Sequence, residues 1–512
     1  MGVIKSHSVR TLPIDNVATA IPPVAATRPK TPPPKEKKRA FDPSRYSTRL
    51  IALKFAYLGG NYNGFEHQAN NPTPLPTVEE KLFEALLKSR LVAPTESDEP
   101  EGLDSLVKLW PGEEVTQYSK GGRTDRGVSA FGQVVGVQIR SNRPLLARPA
   151  SRAGSIIGDE GNKEEEEELL SSPPSLAEFD DIKDELPYVQ ILNRLLPHDI
   201  RVLAWAPNPP PDFSARFNCR GRHYKYFFGD PAIYPRNNTC SSFSGHLDIA
   251  KMQEAASYFL GEHDFRNFCK LDASKQINNF KRIIYESSIE EVLTPHVGPG
   301  SSGEAPKMYY FNLRGTAFLW HQVRHMIAIL FLIGQRLEEP SLIKELLDAE
   351  KNPRKPQYEM ADDRALVLWE CYFPEGELDW VYGETEEKDG LMDIVWMGWH
   401  KSRLEEVLRG SLVGIIKEAK RKAAVAAQAK EEVSKPVPPA DKYKGHILVD
   451  GGSRVLHRGK YIPVMQRARM DEVEVLNEKY RKKKPERVSG KGKARRAADA
   501  AAVAGTEGAE VE

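Results

Sequence analysis

Between residues 50 and 334, strand-like and helix-like patterns follow one another without the regular strand–helix–strand alternation that a parallel sheet requires. Leu50-Ile51-Ala52-Leu53-Lys54-Phe55-Ala56-Tyr57 reads as a strand, residues 131–139 alternate as another, and residues 281–292 and 308–318 repeat the pattern. Thr77 followed by Glu80 has capping-box spacing, and Val78, Leu82, Ala85 and Leu86 recur at helical period, so an amphipathic helix starts there. Asp248 caps a second helix that carries Ile249, Met252, Ala256 and Phe259 and stops at Gly261; a third is expected over residues 319–334. This order predicts an α+β fold with antiparallel sheets and flanking helices. The most apolar run on a helix, residues 326–333, falls far short of the ~20 residues a membrane span needs, so no membrane crossing is expected.

The chain has 512 residues, against about 100–200 per domain, so two or three folded units are expected. A formal charge of +1 hides a split: residues 159–185 carry twelve acids and two lysines, a net −10, which leaves +11 elsewhere. A basic body with one acidic insertion is compatible with a nucleic-acid footprint, while a solvated loop on an otherwise neutral protein is the plainer alternative. Residues 1–46, rich in Pro, Lys and Ala, read as a flexible basic arm. Beyond about residue 385 come an Ala/Lys/Glu helix at 404–430, a Pro-containing linker and a basic tail with Arg481-Lys482-Lys483-Lys484 and a second cluster at 491–496, a candidate for nuclear import or RNA contact. Four widely spaced cysteines, without a CxxC pair, read as reduced thiols of an intracellular protein. No secretory hydrophobic region opens the chain, although Met1-Gly2-Val3-Ile4-Lys5-Ser6 fits the myristoylation pattern.

Three segments carry chemistry. Gly121-Gly122-Arg123-Thr124-Asp125-Arg126-Gly127 sets an acid among glycines just before a strand, where a plain turn with a surface salt bridge is the alternative. Arg222-His223-Tyr224-Lys225-Tyr226-Phe227-Phe228 interleaves aromatics with bases, as stacking on a nucleobase beside phosphates demands; a tyrosine-rich core strand would look the same. Arg324, inside Leu319-Trp320-His321-Gln322-Val323-Arg324-His325-Met326-Ile327, needs an anionic partner or a route to solvent. No HExxH, Cys/His cluster, GxSxG frame or P-loop is present, so metal hydrolysis and triad chemistry lack support.

Gly122-Arg123-Thr124-Asp125-Arg126-Gly127-Val128-Ser129-Ala130-Phe131-Gly132-Gln133-Val134, Phe213-Ser214-Ala215-Arg216-Phe217, Arg222 to Tyr226 and Phe318 to His325 together resemble the TruA family of tRNA pseudouridine synthases. Asn61-Tyr62-Asn63-Gly64-Phe65 with Gln68, the run Glu79 to Leu86, and Phe265 to Lys270 look like its eukaryotic 38/39 branch in particular; the likeness spans roughly residues 48–385, with a weaker echo from Tyr461 to Lys484. The resemblance implies a pseudouridine synthase fold of two lobes, at 47–205 (with the insertion at about 142–186) and 206–385, around a basic catalytic cleft, followed by a partly disordered extension at 386–512. It implies a cofactor-free isomerase acting on uridine in the anticodon stem-loop of tRNA; no metal is expected, the basic tail is the candidate import signal of a nuclear and cytoplasmic protein, and a homodimer is a candidate assembly. It places the catalytic carboxylate at Asp125, the aromatic packing on the target base at Tyr224, the carboxylate's cationic partner at Arg324, and substrate contacts at Arg123 and Arg216. A catalytically idle tRNA-binding protein and a scaffold acting through its tails are the rival readings; binding alone does not require Asp125, which repels phosphate.

Overall fold

The computed structural model describes residues 41–68, 72–95, 109–145, 179–233, 245–292, 306–382, 391–429, 445–452 and 454–483. Most of the basic arm, residues 146–178 of the acidic insertion, Cys240 and the tail from residue 484 lie outside the described residues.

Ten strands make one sheet. The first half of the chain supplies β1 (Ser47–Tyr57), β2 (Ser119–Lys120), β3 (Ser129–Ser141) and β4 (Ile200–Ala206). The second supplies β5 (Gly221–Asp230), β6 (Gly261–Asp264), β7 (Lys281–Glu291), β8 (Lys307–Gly315), β9 (Leu366–Tyr372) and β10 (Val381–Tyr382). Their order is β10-β4-β1-β3-β9-β5-β8-β7-β6, with β2 beside β3. Every pairing is antiparallel except the central one, where Ser129 and Ala130 of β3 meet Val367 and Leu368 of β9 in parallel. The antiparallel expectation therefore holds within each half and changes at the joint, which is where the segment 121–128 enters the sheet.

Alternation along the strands assigns the faces. Ile51, Leu53, Phe55 and Tyr57 of β1 project into a first hydrophobic cluster completed by α1 (Val78–Lys88), α3 (Tyr188–Leu195) and the strands beside them; α2 (Glu113–Thr116) is a single turn between. The expected capping box forms in full at the start of α1: Thr77 accepts from Glu80 N at 3.2 Å and Glu80 accepts from Thr77 N at 2.8 Å. A second cluster gathers Tyr226 and Phe228 of β5, Met252 of α4 (Ile249–Ser257) and the apolar side of α5 (Gln322–Gly334), with α6 (Leu342–Leu347) behind. Tyr224 packs on both clusters, so it stands between them.

Three features depart from the sequence reading. The last acids of the insertion are fixed to the sheet: buried Arg49 pairs with Glu185 at 2.9 Å, and Arg143 pairs with Asp181 at 2.6 Å. Burial pushes the Glu185 carboxyl up, yet hydrogen bonds from Ser141, Asn142, Leu186 and Arg49 hold it below the usual carboxylate range. The chain beyond residue 445 also belongs to the second cluster: Val449 at the end of β11 (Gly445–Val449), which pairs with β12 (Arg454–Arg458), then Val464, and Val473 in the helix Val473–Lys483 are buried there. The Gln335 side chain bonds Ile447 O and Val449 N, and Tyr226 donates to Asp450 O at 3.2 Å. The helix Leu391–Ala429 begins earlier than expected and exposes Trp396, Met397, Trp399, Leu404, Leu408, Leu412 and Ile415. Among the described residues, no helix is long and apolar enough to cross a membrane.

Candidate active site

The turn between β2 and β3 is held from several sides. Gln133, fully buried, accepts from Gly122 N at 3.0 Å and donates to Gly122 O at 2.8 Å; the Arg222 guanidinium donates twice to Gly121 O, at 3.0 and 2.6 Å. The Thr124 and Tyr57 hydroxyls bond at 2.7 Å, and Phe65 N donates to Thr124 O at 3.1 Å. Gly64, at φ +89°, lets this second loop approach: a Cβ there would stand 2.8 Å from Thr124 O. Gly127, at φ +79°, is pressed from the other side, since its Cβ would meet the Asp363 carboxylate at 2.5 Å. The backbone on both sides of Asp125 is therefore immobilised, as a carboxylate aimed at a reacting atom requires.

Asp125 projects into a cavity of about 640 Å³ lined by Arg123, Arg126, Tyr224, Lys275, Phe318, Trp320, His321, Arg324 and Asp363 among others. The indole N–H of Trp320 donates to its Oδ1 at 3.2 Å, and Nε2 of His321 lies 3.3 Å from its Oδ2. A neutral imidazole meets this contact only as the Nε2–H tautomer. His321 adopts φ +59° and caps α5, so the helix starts at Gln322, three residues after its expected beginning. That left-handed residue costs backbone strain, and its own ring and that of Trp320 before it face the carboxylate.

Arg324 lines the same cavity but is not the partner of Asp125. It is buried in the first turn of α5, where Nε donates to Ala361 O at 2.7 Å and Nη2 lies 3.7 Å from Asp363. The expected Arg324–Asp125 pair is thus replaced by Arg324–Asp363, and the residues on Asp125 are Trp320 and His321. The cause is local: Trp320 and His321 precede the helix and face the turn that carries Asp125, whereas Arg324 already lies within the helix, against residues 361–363. Asp363 in turn rests on Gly127, two residues after Asp125.

Tyr224 sets its ring edge-on to Phe318, with centroids 5.1 Å apart, and borders both this cavity and a second one of about 450 Å³. Burial pushes its phenol up, so it stays protonated at neutral pH. The second cavity holds Lys120, Arg123, Arg216 and Arg222; the Arg216 guanidinium lies 5.1 Å from the exposed Phe217 ring. Arg123, 61% exposed, pairs with Glu66 at 3.1 Å. Across both cavities seven lysines and arginines face four acids, an excess of positive charge that favours an anionic ligand. All five residues singled out in the sequence thus border one continuous pair of cavities. Trp320 and His321 stood inside a quoted segment without a role, and Asp363 carried no sequence signal.

Behind the site, His325 N and Nδ1 both bond His321 O, at 3.1 and 2.9 Å, and so fix the left-handed turn. Burial, with Lys355 nearby, depresses the His325 pKa to about 3. The unfolded chain takes up a proton near pH 6.5 that the folded one refuses, so this contribution is complete above pH 6.5 and is lost as pH falls toward 3. In urea titrations the parent should lose up to ~1.4 kcal/mol per pH unit more than His325→Asn across that window. Parallel curves for parent and variant would remove the assignment.

A family model described as tRNA pseudouridine synthase matches residues 255–374, which include Arg324 and Asp363. The tRNA pseudouridine(38/39) synthase of Saccharomyces cerevisiae is 38% identical over 481 residues, covering 94% of this chain and 88% of the yeast protein. Proteins of the same name from Bos taurus and Homo sapiens are 42% and 41% identical over 74% and 70% of this chain, which spans 66% and 62% of their lengths.

Proposed function

The chain belongs to the TruA family of tRNA pseudouridine synthases, and from that membership we propose that it isomerises uridine to pseudouridine at positions 38 and 39, in the anticodon stem-loop of tRNA, with Asp125 as the catalytic carboxylate. The observation that carries the assignment of Asp125 is its place: a carboxylate on an immobilised turn, held by Trp320 and His321, in a cavity bordered by Tyr224 and by basic side chains.

The reaction cuts the N1–C1′ bond of uridine, turns the uracil and rejoins it through C5. A carboxylate achieves this by attacking C1′ or by taking the C2′ proton to give a glycal. The uridine must first leave its stack, at a cost of about a few kcal/mol. Tyr224, fixed by Phe318 and protonated, supports the extruded base on one face and offers a hydroxyl donor. Arg123 leaves Glu66 to meet the RNA, and Arg216, with the exposed Phe217 beside it, combines charge with a stacking surface. The hydrogen bond from Trp320 and the close approach of His321 leave the carboxylate aimed while its charge is spent and regenerated.

The test is incubation of the purified chain with an unmodified tRNA transcript and site-by-site mapping of pseudouridine. Modification confined to positions 38 and 39 is expected; none, or modification elsewhere in the tRNA, would overturn the reading.

A further inference from the structure

The helix Val473–Lys483 lies far along the chain from the catalytic turn, yet it packs beside Trp320, whose indole meets Asp125 on that turn. Val473, Leu476 and Asn477 face Leu319 and Trp320 across a crevice of only about 20 Å³, room for about one water. Asn477, 4% exposed, donates to Ile277 O at 3.2 Å and to Asn278 Oδ1 at 3.4 Å, and its own carbonyl accepts from the Gln276 side chain at 3.2 Å. Gln276 sits at φ +49°, a conformation that needs such external support. The loop clamped in this way, residues 270–278, carries two lysines to one ring: Lys270 Nζ is 4.4 Å and Lys275 Nζ is 4.2 Å from the Trp320 centroid. Lys270 N also donates to Trp320 O at 2.9 Å. On its other edge the same indole donates to Asp125.

Cations against an indole face attract its π electrons, fix the ring and polarise its N–H toward an acceptor. We propose that the C-terminal helix is a positioning element of the catalytic centre: by clamping residues 270–278 it holds two ammonium groups on Trp320, which thereby fixes Oδ1 of Asp125. Trp320 is the positioning residue, and Asn477 is the contact through which the helix acts on it. The inference rests on the proposed function only where it speaks of turnover.

The test uses the full chain with 15N-labelled indoles. The seven tryptophans give seven indole N–H resonances, of which that of Trp320 is the one lost in Trp320→Phe. Asn477→Ala is expected to move this resonance and to slow single-turnover pseudouridine formation by ~10-fold, inside the ~10²-fold that a 1 Å misplacement far from the chemistry costs. tRNA affinity should stay within about twofold, because none of the RNA-facing residues has changed. Lys275→Gln, at a half-exposed side chain, should move the same resonance in a chain that folds normally, and it decides the matter if Asn477→Ala does not fold. A helix that serves stability alone would lower the melting temperature and leave both the Trp320 resonance and the single-turnover rate at the parent values; that result overturns the proposal. A parent that forms no pseudouridine overturns the proposed function instead, and the response of the Trp320 resonance to Asn477→Ala and to Asp125→Asn still decides whether the helix positions the indole.

Discussion

Asp125→Asn is expected to lower the single-turnover rate of pseudouridine formation by ~10⁴-fold or more, the scale on which removal of a nucleophile or an essential base acts. The fold should barely notice. The side chain is 30% exposed, asparagine has the same shape, and its Oδ1 still accepts the Trp320 N–H, while its amide turns toward Nε2 of His321, which switches tautomer to accept. The stability change should stay within about 1 kcal/mol. Affinity for tRNA should be equal to the parent's or higher, because a negative charge has left a cavity pair in which lysines and arginines already outnumber acids. Rate loss with retained or tighter binding separates a reacting carboxylate from one that only holds RNA. A folded variant that turns over within about tenfold of the parent would remove Asp125 from the chemistry.

What the sequence disclosed follows from how local each signal is. The helix after Thr77 was legible to its first residue because a capping box is complete within four positions, and β1, β3, β7 and β8 because their side chains alternate against a core. Asp125 and Tyr224 stood out because glycines around an acid and aromatics among bases are unusual runs. The hidden features depend on residues distant in sequence. Nothing near Arg324 announces Asp363, and single valines at 449, 464 and 473 do not announce a place in the second core, although the echo of the family from Tyr461 to Lys484 marks part of that stretch. The start of α5 was misplaced because His321 is left-handed, which composition does not reveal. The acidic insertion shows the same limit. Charge counting joins Asp181 and Glu185 to the acids before them, but these two close hydrogen bonds onto Arg143 and buried Arg49. A deletion extended through residue 185 would therefore leave Arg49 without its carboxylate in the interior, a cost of several kcal/mol that one stopping at residue 178 avoids.

Arg324→Met is expected to reduce both stability and turnover, and the route of its effect separates two roles. Methionine keeps the volume in the first turn of α5 but removes the donor to Ala361 O and the charge facing Asp363. Because the Asp363 side chain is 30% exposed, water replaces part of the lost pairing, so the stability loss should be about 1–3 kcal/mol rather than that of a fully buried pair. Turnover should fall by ~10²-fold, since Asp363 then no longer rests on Gly127 in a fixed place and the catalytic turn gains freedom. If Arg324 acts in this way, Asp363→Asn should lower the single-turnover rate by a similar factor, and the double variant should be little worse than either alone. The corresponding coupling would be about 1–3 kcal/mol in a double-mutant cycle built on the rate constants. If Arg324 instead meets Asp125 or the RNA directly during the reaction, Asp363→Asn should stay near the parent rate, and the two losses should add. Asp363→Asn is the cleaner of the single changes, because it leaves the guanidinium and its bond to Ala361 O in place. Additive losses in the cycle would therefore refute the relay through Asp363 and return Arg324 to the role of direct partner.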